Sequence, residues 1–109
     1  MVVNVAILKK WEENFPYNMI DAHVPELKRL TALKLEWGRN DELPFIPVTC
    51  MQFSKKLEAL GIKHFAEEYF GDHSSEIMGA NGRIYTEVFP FFNSYLKFED
   101  QVKFPTQKK

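Results

Sequence analysis

Apolar and polar positions alternate over residues 32–37, with Leu33, Leu35 and Trp37 on one side and Lys34 and Glu36 on the other, the period of two that marks a strand. A second strand is predicted over residues 63–70. Between them Cys50, Phe53, Leu57 and Leu60 recur at helical spacing, which predicts a helix over residues 47–60 with Gly61 as its C-terminal stop. Strand, helix and strand in that order predict a crossover that makes the two strands parallel neighbours.

Upstream, Ile7, Leu8, Trp11 and Phe15 predict a short helix over residues 7–15 that ends near Pro16. One or two helical turns follow around residues 18–21 and 25–30, with Pro25 suited to a first turn. Downstream, Gly79, Asn81 and Gly82 mark a loop. Ile84, Val88, Phe91, Phe92, Tyr95 and Leu96 then predict a closing helix over residues 83–98, kinked at Pro90, whose aromatic rings from Phe89 to Tyr95 belong in the core.

The expected fold class is α/β, one partial domain spanning 1–109. It has a helical lead-in over 1–30, a strand-helix-strand-helix body over 31–98 and a polar tail over 99–109. Parallel sheets are normally covered on both faces and extend to more strands, so two parallel strands with covering helices imply a sheet completed by another chain or copy.

Composition narrows the functional classes. A hydrophobic share of 45% with ten Phe demands a packed core and argues against disorder. With 14 basic and 15 acidic side chains, the chain has no electrostatic footprint for nucleic acid or an anionic membrane surface, and neither partner is expected. No run approaches the roughly 18 apolar residues of a membrane helix, so a soluble protein is expected. The apolar opening over residues 2–8 precedes Lys9-Lys10 and has no small-residue cleavage site after it, the wrong order for a secretory signal; the compartment stays open. The single cysteine, Cys50, excludes an internal disulfide and reads as a core residue on the helix stripe. His23 and His64 read as surface or half-buried histidines and, with Cys50, lack the ligand spacing of a zinc site. No metal or cofactor is expected.

The candidate chemistry lies at the two strand ends. The first strand runs into Gly38-Arg39-Asn40-Asp41 and the second into Gly71-Asp72-His73-Ser74, which places Asp41 and His73 32 positions apart with one helix between them. Reactive groups in α/β sheets gather beyond the carboxyl ends of the strands. An Asp in such a turn can equally serve as a turn former. Asp72 is adjacent to His73 in extended backbone and is directed elsewhere. Arg39 and Glu42 are loop charges placed where they could line a cleft.

Taken together these runs resemble a known family. Trp11-Glu12-Glu13-Asn14 and Asn18-Met19-Ile20-Asp21 precede the strand ending Gly38-Arg39-Asn40-Asp41-Glu42. Leu57-Glu58-Ala59-Leu60-Gly61-Ile62 leads through His64 to Glu67-Glu68-Tyr69-Phe70 and Gly71-Asp72-His73-Ser74, and Phe89-Pro90-Phe91-Phe92 closes the run. Residues 7–98 thus resemble the C-terminal third of the esterase family of α/β-hydrolases that includes esterase D, S-formylglutathione hydrolase and enterochelin-esterase-like proteins.

The resemblance implies that Asp41 is the triad acid and His73 the general base of a serine carboxylic-ester hydrolase acting on a small ester. In such hydrolases the triad follows the order Ser, Asp or Glu, His, with the serine on a Gly-x-Ser-x-Gly turn. No such turn occurs here, and Ser54, Ser74, Ser75 and Ser94 lack its strand-to-helix setting. The resemblance therefore implies a C-terminal fragment whose partner is the missing N-terminal hydrolase portion. The lone chain is expected to be inactive. The alternative is a non-catalytic binding or assembly module that completes its sheet with a second copy.

Overall fold

The alternation over residues 32–37 comes out as strand β1, Lys34–Gly38, and the second run as strand β2, Phe65–Tyr69. They pair in parallel, Lys34 opposite Phe65 and Gly38 opposite Tyr69, which sets the two strand tips side by side. The computed structural model describes residues 2–97. Among them, five α-helices and this two-stranded parallel sheet make a mixed α/β chain. The backbone groups into two compact units, one through Glu76 and one from Ile77.

The first unit begins with helix α1, Val5–Glu13, two residues ahead of the expected start because the Asn4 side chain accepts from the Ile7 amide and caps it. Phe15 precedes Pro16, and the proline ring disfavours helical backbone at the residue before it. Phe15 is accordingly extended, α1 stops, and α2, Pro16–Met19, starts with its proline in the first turn. Asn14 and Asn18 donate side-chain amides to the Lys10 and Glu12 carbonyls at 2.7 and 2.8 Å, which satisfies acceptors at the end of α1. A 3-10 turn, Asp21–His23, leads into α3, Val24–Arg29.

Helix α4, Phe45–Ala59, carries the crossover. It starts two residues before Pro47, which the first turn tolerates because its N–H groups have no intrahelical partner. Its end follows the Schellman pattern. Gly61 has φ of 70°, its N–H donates to the Glu58 carbonyl at 3.0 Å, and the Ile62 N–H donates to the Leu57 carbonyl at 2.9 Å. A side chain at position 61 would strain this left-handed backbone. The same closure brings Leu57 and Ile62 together, and with Ile20 they form the fully buried core, against which Val24, Leu27, Leu33, Leu35, Phe53 and Leu60 pack. Lys56 ties α4 to the lead-in, donating to the Tyr17 carbonyl at 2.9 Å and the Asp21 carboxylate at 2.6 Å.

The polar side of β1 is largely covered: the Lys34 and Glu36 side chains are 15% and 17% exposed and pair at 2.6 Å. Two sequence expectations about the closing segment need correction. The expected single closing helix, which belongs to the second unit, is instead a π-helical turn, Ile84–Val88, followed by α5, Phe89–Tyr95. Pro90 has no N–H and its ring would clash with the carbonyl four residues back, so the ladder widens just before it, and the Phe89 N–H reaches the Ile84 carbonyl. The expected core packing is also partial, since Phe89, Phe92 and Tyr95 stay exposed. The rings pack on one another, Phe91 against Phe92 and Tyr95 with centroids 5.6 and 5.1 Å apart. Phe98 and the tail over 99–109 lie outside the described residues.

Candidate active site

Pairing continues past the strands and fixes the two loops that follow them. The Arg39 N–H donates to the Tyr69 carbonyl at 2.8 Å and the Asn40 N–H to the Gly71 carbonyl at 2.9 Å. Gly38 is required for this approach, because a Cβ there would stand 2.5 Å from the carbonyl oxygens of both Gly71 and Asp72. Glu68 braces the same tip from the side. Its carboxylate accepts from the Trp37 indole at 3.0 Å and from Arg39 Nε at 2.7 Å, and these two donors hold its carboxyl below the usual range.

On this platform Asp41 and His73 meet. His73 Nδ1 lies 2.9 Å from Asp41 Oδ2, and the other carboxylate oxygen of Asp41 accepts from the Leu43 N–H at 2.8 Å. Asp41 therefore does both of the jobs its position allows, turning the chain toward α4 and holding the imidazole. Its side chain is 4% exposed and that of His73 is 56% exposed. Burial alone would raise the Asp41 carboxyl, but the Leu43 amide and the hydrogen bond and charge of His73 outweigh it, and the net direction is down. The hydrogen bond that Nδ1 donates to Asp41, then the Asp41 charge, hold His73 above its ordinary value; Glu42 and Asp72 add to this.

An ionised carboxylate only accepts, so in the neutral ring Nδ1 carries the proton and Nε2 keeps its lone pair. No described residue hydrogen-bonds Nε2. A carboxylate thus engages one ring nitrogen, and the other is left without a hydrogen bond among the described residues.

The Asp72 carboxylate is engaged by the backbone that follows the histidine. Its Oδ1 accepts from the N–H groups of Ser74 at 3.0 Å and Ser75 at 2.6 Å, and these bonds lower its carboxyl. Glu42 reaches the His73 backbone, with Oε2 at 3.4 Å from its N–H, while Arg39 is engaged with Glu68. None of the four serine hydroxyls hydrogen-bonds His73 among the described residues. Ser54 bonds His64, Ser75 bonds Asp72, Ser94 bonds the Pro90 carbonyl, and the Ser74 hydroxyl has no hydrogen bond among the described residues.

The sequence marks His64 only as a surface or half-buried histidine and does not show its pairing. Its Nδ1 lies 2.9 Å from the Ile62 carbonyl and its Nε2 2.7 Å from Ser54 Oγ. The contact spans ten residues across the end of α4, and no local pattern announces it. Cys50 is half-buried, and burial followed by the Asp41 charge pushes its thiol up, which keeps it protonated and unreactive near neutral pH. Among the described residues no helix is long and apolar enough to cross a membrane. Neither the known protein families nor the curated proteins contain a match to this chain.

Proposed function

We propose that Asp41 and His73 are the acid and general base of a serine carboxylic-ester hydrolase whose nucleophile is supplied by polypeptide outside these 109 residues. The observation that carries the reading is the 2.9 Å bond between His73 Nδ1 and a nearly buried carboxylate, at the adjacent tips of two parallel strands, with the His73 side chain 56% exposed and Nε2 without a hydrogen bond among the described residues. In that arrangement Nε2 takes the proton from a serine hydroxyl as the oxygen attacks an ester carbonyl carbon. It returns the proton to the departing alkoxide when the carbon–oxygen bond breaks. Asp41 keeps the tautomer and stabilises the imidazolium formed in between. The oxyanion donors of this fold class are a backbone N–H after the nucleophile and one from an early loop, and both belong to the complementary portion.

The test expresses this segment joined to the coding sequence that precedes it in its gene and follows p-nitrophenyl acetate hydrolysis. The joined polypeptide should turn over the ester, and His73→Ala should abolish turnover while the lone segment stays inactive. Full activity in the His73→Ala protein would refute the reading. Turnover by the lone segment that depends on His73 would show that the nucleophile lies within it.

A second reading, a binding or assembly module, draws on a different observation. Both strands keep an outer edge without a ladder partner among the described residues, α1 buries none of its side chains, and an apolar groove of about 640 Å³ lined by Phe15, Tyr17, Leu35, Phe45, Cys50 and Phe53 lies beside β1. Light scattering on the lone chain decides this one: a stable dimer supports it and a monomer argues against it.

A further inference from the structure

We propose that Ser75 is a positioning residue for His73, its hydroxyl closing the turn that presents the imidazole to Asp41. The inference rests on the reading of His73 as a base, and it deepens it by naming what holds that base in place. Apart from its bond to Asp41, His73 has little anchorage of its own. Its ring side chain is 56% exposed and its backbone N–H makes only a long 3.4 Å contact with Glu42.

The residues on either side of it are locked to each other. The Asp72 N–H donates to Ser75 Oγ at 2.8 Å, and the Ser75 N–H donates back to Asp72 Oδ1 at 2.6 Å. The Ser74 N–H adds a third bond to the same carboxylate oxygen at 3.0 Å. This reciprocal pair closes a four-residue loop with His73 inside it. On the other side, the Gly71 and Asp72 carbonyls lie against Gly38. The imidazole therefore projects from a backbone fixed on both flanks.

The chemistry selects a hydroxyl at position 75. An acceptor one bond from Cβ reaches the Asp72 amide, and removing it leaves a half-buried N–H without a partner. Asp72 is a poor probe of this role because its own charge also acts on His73, as do those of Asp41 and Glu42. Ser75 is neutral, so its replacement removes no charge beside His73, although the Ser75 hydroxyl also helps to lower the Asp72 carboxyl. Ser74, one residue away with an unbonded hydroxyl, serves as the internal control.

The experiment is a 15N NMR titration of the histidine rings in the wild-type chain and in Ser75→Ala, Ser75→Thr and Ser74→Ala, with amide dispersion monitoring the fold. In wild type His73 should titrate above the ordinary histidine value of about 6.5. Ser75→Ala should bring it down toward that value and mix in the Nε2–H tautomer, Ser75→Thr should restore it, and Ser74→Ala should leave it unchanged. A folded Ser75→Ala protein with wild-type titration overturns the positioning role and leaves the Asp41–His73 pair standing. A shift in Ser74→Ala as large as that in Ser75→Ala also overturns it. If Ser75→Ala does not fold, Ser75→Cys takes its place: a partial shift supports the role and none overturns it. A wild-type His73 titrating at or below about 6.5 refutes the pair itself, a failure distinct from the other two.

Discussion

Two histidines of this chain are each held through Nδ1, and they differ in what holds them and in what faces the other nitrogen. His64 bonds a neutral carbonyl, that of Ile62, and its Nε2 is engaged by the Ser54 hydroxyl at 2.7 Å. His73 bonds a carboxylate, that of Asp41, and its Nε2 has no protein partner among the described residues. The first arrangement consumes every hydrogen-bonding group of the ring, so it ties the end of α4 to the start of β2. The second fixes the tautomer with a charge and leaves a lone pair unused. A serine beside a histidine is thus a weaker sign of catalysis than a histidine with an ionised partner and an open nitrogen.

The widest separation between the two sites should appear in catalysis. Under the proposed function, Asp41→Asn in the joined polypeptide should lower kcat by about 10⁴-fold, as for a triad acid whose loss permits the wrong tautomer, whereas His64→Gln should change it by less than about 10-fold. Measured ester hydrolysis in the reverse order would break the comparison.

Stability should follow burial and close packing instead. Leu57 is fully buried next to Ile62, the residue whose carbonyl holds His64. Leu57→Ala should cost about 2–5 kcal/mol in urea unfolding, a large share of what a small core supplies. Gly38→Ala meets two carbonyl oxygens at 2.5 Å and should cost about 1–3 kcal/mol while shifting the His73 ring resonances. Ser54→Ala removes one neutral hydrogen bond and should cost about 0.5–1.5 kcal/mol without altering the His73 titration. A change at His73 in that variant would mean the two sites are coupled.

The smallest effect is the pH dependence of the pair. The folded His73 pKa is raised, so its contribution to stability is complete below the unfolded histidine value of about 6.5 and fades as pH rises through the folded value. The folded Asp41 pKa is lowered, so its contribution is complete above the unfolded carboxyl value of about 3.9 and fades as pH falls through the folded one. Both act together between those two unfolded values, and Asp41→Asn should flatten the urea-midpoint profile on both flanks of that window.

Much of the central body was legible in the sequence because its signals are local. The alternation of Leu33, Leu35 and Trp37, the stripe through Phe53 and Leu57, and the stop at Gly61 each follow from backbone periodicity or a positive φ. The meeting of Asp41 and His73 was legible one step further, because a crossover between parallel strands puts both strand ends on the same side. What escaped depends on partners distant in sequence or on ladder geometry. Glu68 bridging Trp37 and Arg39 requires the register between strands, Ser54 reaching His64 requires the closure after α4, and the π-helical turn answers Pro90 in a way no pattern specifies. The cap at Asn4 was a readable signal, an Asn three residues before the Ile7 amide it satisfies.

The most direct measurement is the tautomer of His73, read from long-range 15N–1H correlations at a pH above its titration. If a carboxylate at position 41 orients the ring, Nδ1 carries the proton and Nε2 shows the shift of an unprotonated nitrogen, and Asp41→Asn abolishes that preference. A ring protonated mainly at Nε2 in the wild-type chain would contradict the account.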